Sequence, residues 1–372
     1  MRGSFCGKFL TILTSLLVLM LFTACDGADA SVKEENKQAE IVLITDYGTV
    51  NDGSYNQGAW EGITSYADEN GITYNYYRPE NTDKESFMNE LKKAAEAGAE
   101  VIICTGSLFE EAMYDAQSKY SDISFIMVDG SPHNEDYSDT TIGSNVMCIS
   151  FAEEQAGFLA GYSAVREGYT GLGFMGGKPV PAVVRYGYGF VQGADYAAIE
   201  MGVNVHVRYV YTDTFSEDEC AEAMAEAWYS DDTQVIFACA GQMGRSVMRA
   251  AESSGGMVIG VDTDQADESE TVLTSAMKNL KSSVYDGLRA YYSGSFGGGT
   301  ITNMTAALGG VCLPMDTSRF EKFDMDSYSK LYSHFVDGLI NPYNGTDLGT
   351  TQELSLVNTD VTYIMMSEVS VN

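Results

Sequence analysis

Two short stretches, Glu100–Cys104 (EVIIC) and Ile123–Asp129 (ISFIMVD), decide the fold, and their first residues lie 23 positions apart. Each is a continuous apolar run too short for a helix, and each gives way at once to small polar residues. A continuous apolar run of this length fits a strand buried on both faces, as in a parallel sheet. Similar runs begin near Ile41 (IVLIT) and Ile72 (ITYNYY), so the first half steps by 31, 28 and 23 residues. The second half repeats the series at Gly171 (GLGFM), Val205 (VHVRYVY), Gln234 (QVIFAC) and Met257 (MVIGVD), with steps of 34, 29 and 23. Between the runs lie helical faces: Phe87, Leu91, Ala94 and Ala95 share one, and Ala221, Met224, Ala225 and Trp228 share another. Strand, helix, strand at this spacing predicts two doubly wound parallel-sheet lobes, each with helices on both faces, joined by a hinge around an interlobe cleft. The expected division is residues 40–148 with about 265–300 in the first lobe, and 149–264 with about 301–372 in the second. Hinge strands are expected near Cys148, Asp264 and Thr300.

The 372 residues carry 21 Lys+Arg against 53 Asp+Glu, a formal charge of −32, which excludes a nucleic-acid-binding surface. The 3 histidines and 7 cysteines have no zinc-ligand spacing, and the cysteines no disulfide framework. No metal or other cofactor is expected. The only long apolar run is Phe9–Phe22, preceded by Arg2 and Lys8, which reads as a signal segment over residues 1–24. It ends in Leu21-Phe22-Thr23-Ala24-Cys25, which resembles a bacterial lipobox. That resemblance implies cleavage before Cys25, lipidation of its thiol, and a polar tether over 25–39 that holds the domain on the outer face of the cell membrane.

In open α/β sheets ligands bind beyond the carboxyl ends of the strands. The first strand runs into Thr45-Asp46 and then Asp52, Ser54, Tyr55, Asn56 and Gln57; the third into Thr105-Gly106-Ser107; the fourth into Asp129-Gly130-Ser131. In the second half the second, third and fourth strands end in Thr212-Asp213-Thr214-Phe215, Ala240-Gly241-Gln242 and Asp262-Thr263-Asp264-Gln265. Carboxylates and amides suit a ligand with several hydroxyls. Tyr55 and Phe215, from different lobes, are placed to close on the two faces of a flat ring. Some of these residues have plainer readings: Ser54 with Gln57 as a helix capping box, and Asp129 and Asp262 as turn residues.

The stretch Asp46–Gly62 (DYGTVNDGSYNQGAWEG) closely resembles the opening motif of the basic membrane protein family, the purine-nucleoside receptor lipoproteins of ABC importers. Ser144-Asn145-Val146, Phe151–Gly161 (FAEEQAGFLAG), Val258–Asp262 (VIGVD) and Thr274–Lys278 (TSAMK) continue the resemblance, which spans roughly residues 40 to 312. It implies the type I periplasmic-binding-protein fold, a monomeric receptor, a membrane permease as partner, and a purine nucleoside such as guanosine, inosine or adenosine as cargo. By the same resemblance Asp46, Tyr55 and Phe215 frame the base, Asp262 holds ribose hydroxyls, Gly241 offers backbone, and Lys278 reaches a hydroxyl or balances nearby carboxylates. Asn56, Ser107 and Asp129 join them by strand-end position. Gly53 and Tyr55 depart from the Lys and Phe usual in the family, and the tyrosine hydroxyl then needs a partner. The last 60 residues, from about Leu313, match poorly.

Gly171-x-Gly173-x-x-Gly176 matches a dinucleotide fingerprint in letters, but its glycines fall within a strand and Pro179 and Pro181 follow. Two other functions share parts of the pattern. A sugar or autoinducer receptor of the same fold needs one aromatic platform rather than two. A metal-dependent nucleoside hydrolase needs Asp46, Asp52, Asp262 and Asp264 gathered on one ion, whereas they come from two lobes. No enzyme is expected.

Overall fold

Ile41–Ile44 is buried along its whole length, as a strand covered on both faces must be, and it lies inside the first of two sheets. The computed structural model describes residues 39–346 and 354–364. The signal segment, Cys25 and nearly all of the tether expected at the N-terminus lie outside the described residues.

The chain begins β1 (Ile41–Ile44), α1 (Tyr55–Asn70), β2 (Tyr74–Tyr77), α2 (Lys84–Glu96), β3 (Val101–Thr105), α3 (Glu110–Lys119), β4 (Ser124–Val128) and β5 (Val146–Phe151). It continues through α4 (Glu153–Glu167), β6 (Gly171–Gly176), α5 (Pro181–Met201), β7 (Val205–Tyr211), α6 (Glu219–Ser230), β8 (Val235–Cys239), α7 (Met243–Ser254) and β9 (Met257–Asp262). Then follow β10 (Val272–Lys278), α8 (Leu280–Tyr292), β11 (Thr300–Met304), β12 (Val311–Cys312), α9 (Met325–Val336) and β13 (Thr359–Ile364).

The first sheet has the order β11-β5-β4-β3-β1-β2, with every pairing parallel. The second has the order β12-β10-β9-β8-β6-β7-β13, parallel except where β12 meets β10. Both are doubly wound, and the fingerprint-like glycines of Gly171–Gly176 form β6 itself. The tail that resisted reading supplies α9 and the outer strand β13, which pairs with β7.

The chain passes between sheets at Ala152, at Asn279 and at Thr305. The first return therefore comes later than the expected boundary near 265: β10 pairs with β9 in the second sheet, while β11 pairs with β5 in the first. The crossings are tied together, because the Ala152 amide donates to Met304 O at 3.2 Å and the Asn279 amide to Gly310 O at 2.8 Å.

Helix α4 and helix α5 approach backbone to backbone. A β-carbon on Gly157 would lie 2.1 Å from Tyr186 O, and one on Gly189 would lie 2.1 Å from Glu154 O. Small residues at these crossing points let the two axes come together, and any side chain there would force them apart.

Candidate functional site

The carboxyl ends of β1, β3 and β4 face those of β8 and β9 across a cleft of about 780 Å³, its open mouth included. Asp46, Tyr55, Asn56, Ser107, Asp129, Phe215, Gly241, Asp262 and Lys278 all line it. The residues singled out as a binding set thus come to one place, from three strand ends of the first half and four of the second.

Asp52 organises the first wall. Its Oδ1 accepts the Ser54 and Gln57 amides at 2.9 and 3.1 Å, and its Oδ2 accepts the Asn56 amide at 3.1 Å. This carboxylate caps α1, where a Ser54–Gln57 box had been expected. Ser54 is left without a capping bond, and its hydroxyl donates instead to Asp262 Oδ2 of the second lobe at 2.6 Å. Asn56 spends its amide within the site: Nδ2 donates to Asp46 Oδ1 at 3.1 Å and to Asp52 Oδ2 at 3.0 Å, and Oδ1 accepts from the Thr105 hydroxyl at 2.7 Å. Asn56 therefore orients Asp46. Burial pushes the Asp46 carboxyl up to about 6, against the opposing pull of those donors.

Asp129 and Asp262 end β4 and β9 with φ of 57° and 67°. Aspartate tolerates this left-handed turn better than most residues, and both carboxylates reach Lys278. The ammonium lies 2.5 Å from Asp129 Oδ2, 2.9 Å from Glu153 Oε1 and 3.9 Å from Asp262 Oδ1. Burial raises Asp129 to about 6 although Lys278 opposes the shift, and it raises Asp262 in the same way. Burial alone would lower Lys278, but the three carboxylates outweigh it and hold the ammonium charged.

The aromatic residues fall differently from a simple Tyr55–Phe215 pair. The Tyr55 hydroxyl finds the partner it needs in Val128 O at 3.0 Å, and the Lys278 ammonium stands 5.1 Å from its ring centroid. Phe215 meets Tyr47, which follows Asp46 in the first lobe; their centroids are 5.3 Å apart with planes tilted by 39°. Lys178 Nζ lies 4.9 Å from the Tyr47 centroid. Phe215 rests on Gly177, where a β-carbon would lie 2.5 Å from its Cε1. Gly241 has a φ of 54° and turns the chain between β8 and α7 beside the Phe215 backbone.

Tyr47, Tyr186 and Glu153 were missed by sequence reasoning. Tyr47 carried the usable signal, an aromatic residue directly after a strand-end aspartate. Tyr186 lies inside α5 and reads as core, yet its hydroxyl donates to Ala276 O at 3.1 Å and lies 3.4 Å from Asp262 Oδ1. Glu153 opens α4 beside Glu154 and Gln155, and nothing local marks which of these polar residues turns inward. The four carboxylates of the hydrolase alternative do not gather: Asp52 caps α1, and Asp264 accepts from the Ala266 amide and the Thr317 hydroxyl. Among the described residues no group of three or more His, Cys, Asp or Glu side chains is placed to hold a metal ion.

Comparison with known proteins agrees with this fold. A solved ABC transporter solute-binding protein from Aeropyrum pernix K1 superposes with a TM-score of 0.72 at 19% identity, over 84% of this chain and 95% of that one. At that identity the likeness speaks to fold alone, the type I arrangement of periplasmic solute-binding proteins. The ABC transporter nucleoside-binding protein BmpA of Lactococcus lactis subsp. cremoris is 28% identical over 354 residues, 88% of this chain and 95% of that protein. Basic membrane protein A of Borreliella burgdorferi is 29% identical over 273 residues, 72% of this chain and 76% of that protein. Residues 39–336 match the family model Bmp, described as ABC transporter substrate-binding protein PnrA-like. The chain, a binding protein rather than an enzyme, belongs to this Bmp family of PnrA-like ABC transporter substrate-binding proteins.

Proposed function

We propose that the protein captures purine nucleosides such as guanosine, inosine or adenosine outside the cytoplasm and delivers them to an ABC permease. It does so as a monomer tethered to the cell membrane through a lipid on Cys25. The observation that carries this reading is the division of one cleft into two kinds of surface. Tyr47, Tyr55 and Phe215 supply aromatic faces from both lobes, while Asp129, Asp262 and Lys278 gather charged donors and acceptors beside them. A nucleoside has the matching two halves, a flat base and a sugar with vicinal hydroxyls. Asp46, oriented by Asn56, suits the N–H edge of the base, and Ser107 and the Gly241 backbone complete the walls. The nucleoside-binding BmpA relative supports the same reading. Closure brings the two halves of the site together about the crossings at Ala152, Asn279 and Thr305.

Calorimetry on the domain from residue 28, refolded to strip carried ligand, tests this with guanosine, inosine, adenosine, cytidine, ribose and guanine. Tight binding of purine nucleosides, with ribose and guanine far weaker, is the expected result. Heat from a sugar alone would replace the nucleoside with a sugar or autoinducer as cargo. Metabolic labelling with a fatty acid, lost in Cys25→Ser, tests the anchor.

A further inference from the structure

Two of the three lobe crossings end in opposite charges that meet. Glu153 follows the crossing at Ala152 and opens α4, and Lys278 ends β10 just before the crossing at Asn279. Both are buried, with Glu153 at 0% and Lys278 at 3% exposure, and they form an ion pair at 2.9 Å. The other Glu153 oxygen, Oε2, accepts from Arg185 Nε at 2.6 Å. Arg185 stands on α5, whose backbone is pressed against α4 at Gly157 and Gly189, so neither residue has room to drift.

We propose that Glu153, fixed by Arg185, is the positioning residue that sets Lys278 for recognition of the sugar hydroxyls. The inference deepens the nucleoside reading and rests on it. Lys278 sits among three carboxylates. Asp129 and Asp262 line the cleft, whereas Glu153 does not. An ammonium has three protons to donate, and its aligned hydrogen bond in the free protein goes to Asp129. Glu153 holds the ammonium on the Asp129 side, 2.9 Å from its own Oε1, so that Asp262 stays at 3.9 Å, too far to be hydrogen-bonded. Asp262 Oδ1, the second oxygen of Asp129 and the remaining Lys278 protons are thereby kept for hydroxyl groups. Without the Glu153 charge, the lysine would swing onto Asp262 while keeping Asp129, and these three groups would satisfy one another instead of a ligand. Neither α4 nor α5 needs to touch the ligand for this to act.

The test compares inosine with 2′,3′-dideoxyinosine by calorimetry in the native protein and in Glu153→Gln, which keeps the shape and removes the charge. The ratio of the two affinities reports recognition of the hydroxyls. We expect Glu153→Gln to shrink that ratio at least fivefold while dideoxyinosine binds within about twofold of native. Arg185→Gln, at a less buried position, should shrink it in the same direction and carries the test if Glu153→Gln does not fold. An unchanged ratio, with both ligands weakened equally or neither weakened, would overturn the positioning role while leaving the nucleoside reading intact. A native protein that binds no inosine would overturn the nucleoside reading and the role of Glu153 with it.

Discussion

Tyr47 and Phe215 belong to different lobes, yet their rings are in contact, with centroids 5.3 Å apart. That spacing leaves no room for a third ring between them, so the pair must part before a base can stack between them. Tyr47→Ala is therefore expected to speed nucleoside entry and release, both by several-fold, with a smaller change in equilibrium affinity. Stopped-flow fluorescence and calorimetry on the same variant separate the two effects; unchanged rates would contradict this parting.

Phe215→Ala removes a stacking face and should cost about 1–3 kcal/mol of nucleoside affinity. Equal affinity in native and variant would remove Phe215 from the base site.

Gly177→Ala tests the same ring without deleting it. The new β-carbon would fall 2.5 Å from Phe215 Cε1 and 2.9 Å from Thr214 O, so the ring must move. Nucleoside affinity should drop toward that of Phe215→Ala, and affinity at the native level would mean that the seat of Phe215 is immaterial.

Asp262→Ala should weaken inosine far more than hypoxanthine, because the carboxylate is assigned to the sugar. Equal losses for nucleoside and base would place it elsewhere.

Acidification should move stability and binding in opposite directions. Asp46 and Asp129 have folded values of about 6, and Glu154 about 7, all above their ordinary values through burial. Groups raised in this way favour the folded state at low pH and lose that contribution as pH rises through the folded values. The ligand-free protein should accordingly gain thermal stability between pH 7.5 and 5. Over the same window nucleoside affinity should fall about tenfold for each ionised carboxylate the ligand needs. Asp46→Asn should make that fall shallower. Melting temperatures and calorimetry at stepped pH measure both, and a parallel rise or a parallel fall would refute the assignment.

The alternating architecture was legible because β1, β3 and β4 are covered on both faces and so read as unbroken apolar runs. β13 was not legible: it is an outer strand of mixed exposure that pairs with β7 from far earlier in the chain. The cleft residues at strand ends could be found because the topology itself points there. Glu153 and Tyr186 could not, since a first-turn glutamate reads as an ordinary helix-start charge and an inward helical tyrosine reads as core until the neighbouring strand is known. The capping of α1 fell to Asp52 instead of Ser54 for a similar reason. A serine before a helix is read as its cap, and nothing local shows that its hydroxyl is claimed by an aspartate 208 residues away.

The late arrival of α8 and β11 in the first lobe has a bearing on how the chain is made. Helix α8 packs against α1, where Val284 and Leu280 fill the notches at Gly62 and Gly58, and β11 closes the edge beyond β5. A growing chain can complete neither lobe independently: the first waits for residue 304, and the second, begun before it, waits for β13 at residue 364. The order of synthesis thus keeps both lobes unfinished until late in the chain, and a truncation anywhere before β11 leaves an exposed strand edge rather than a free-standing half-receptor.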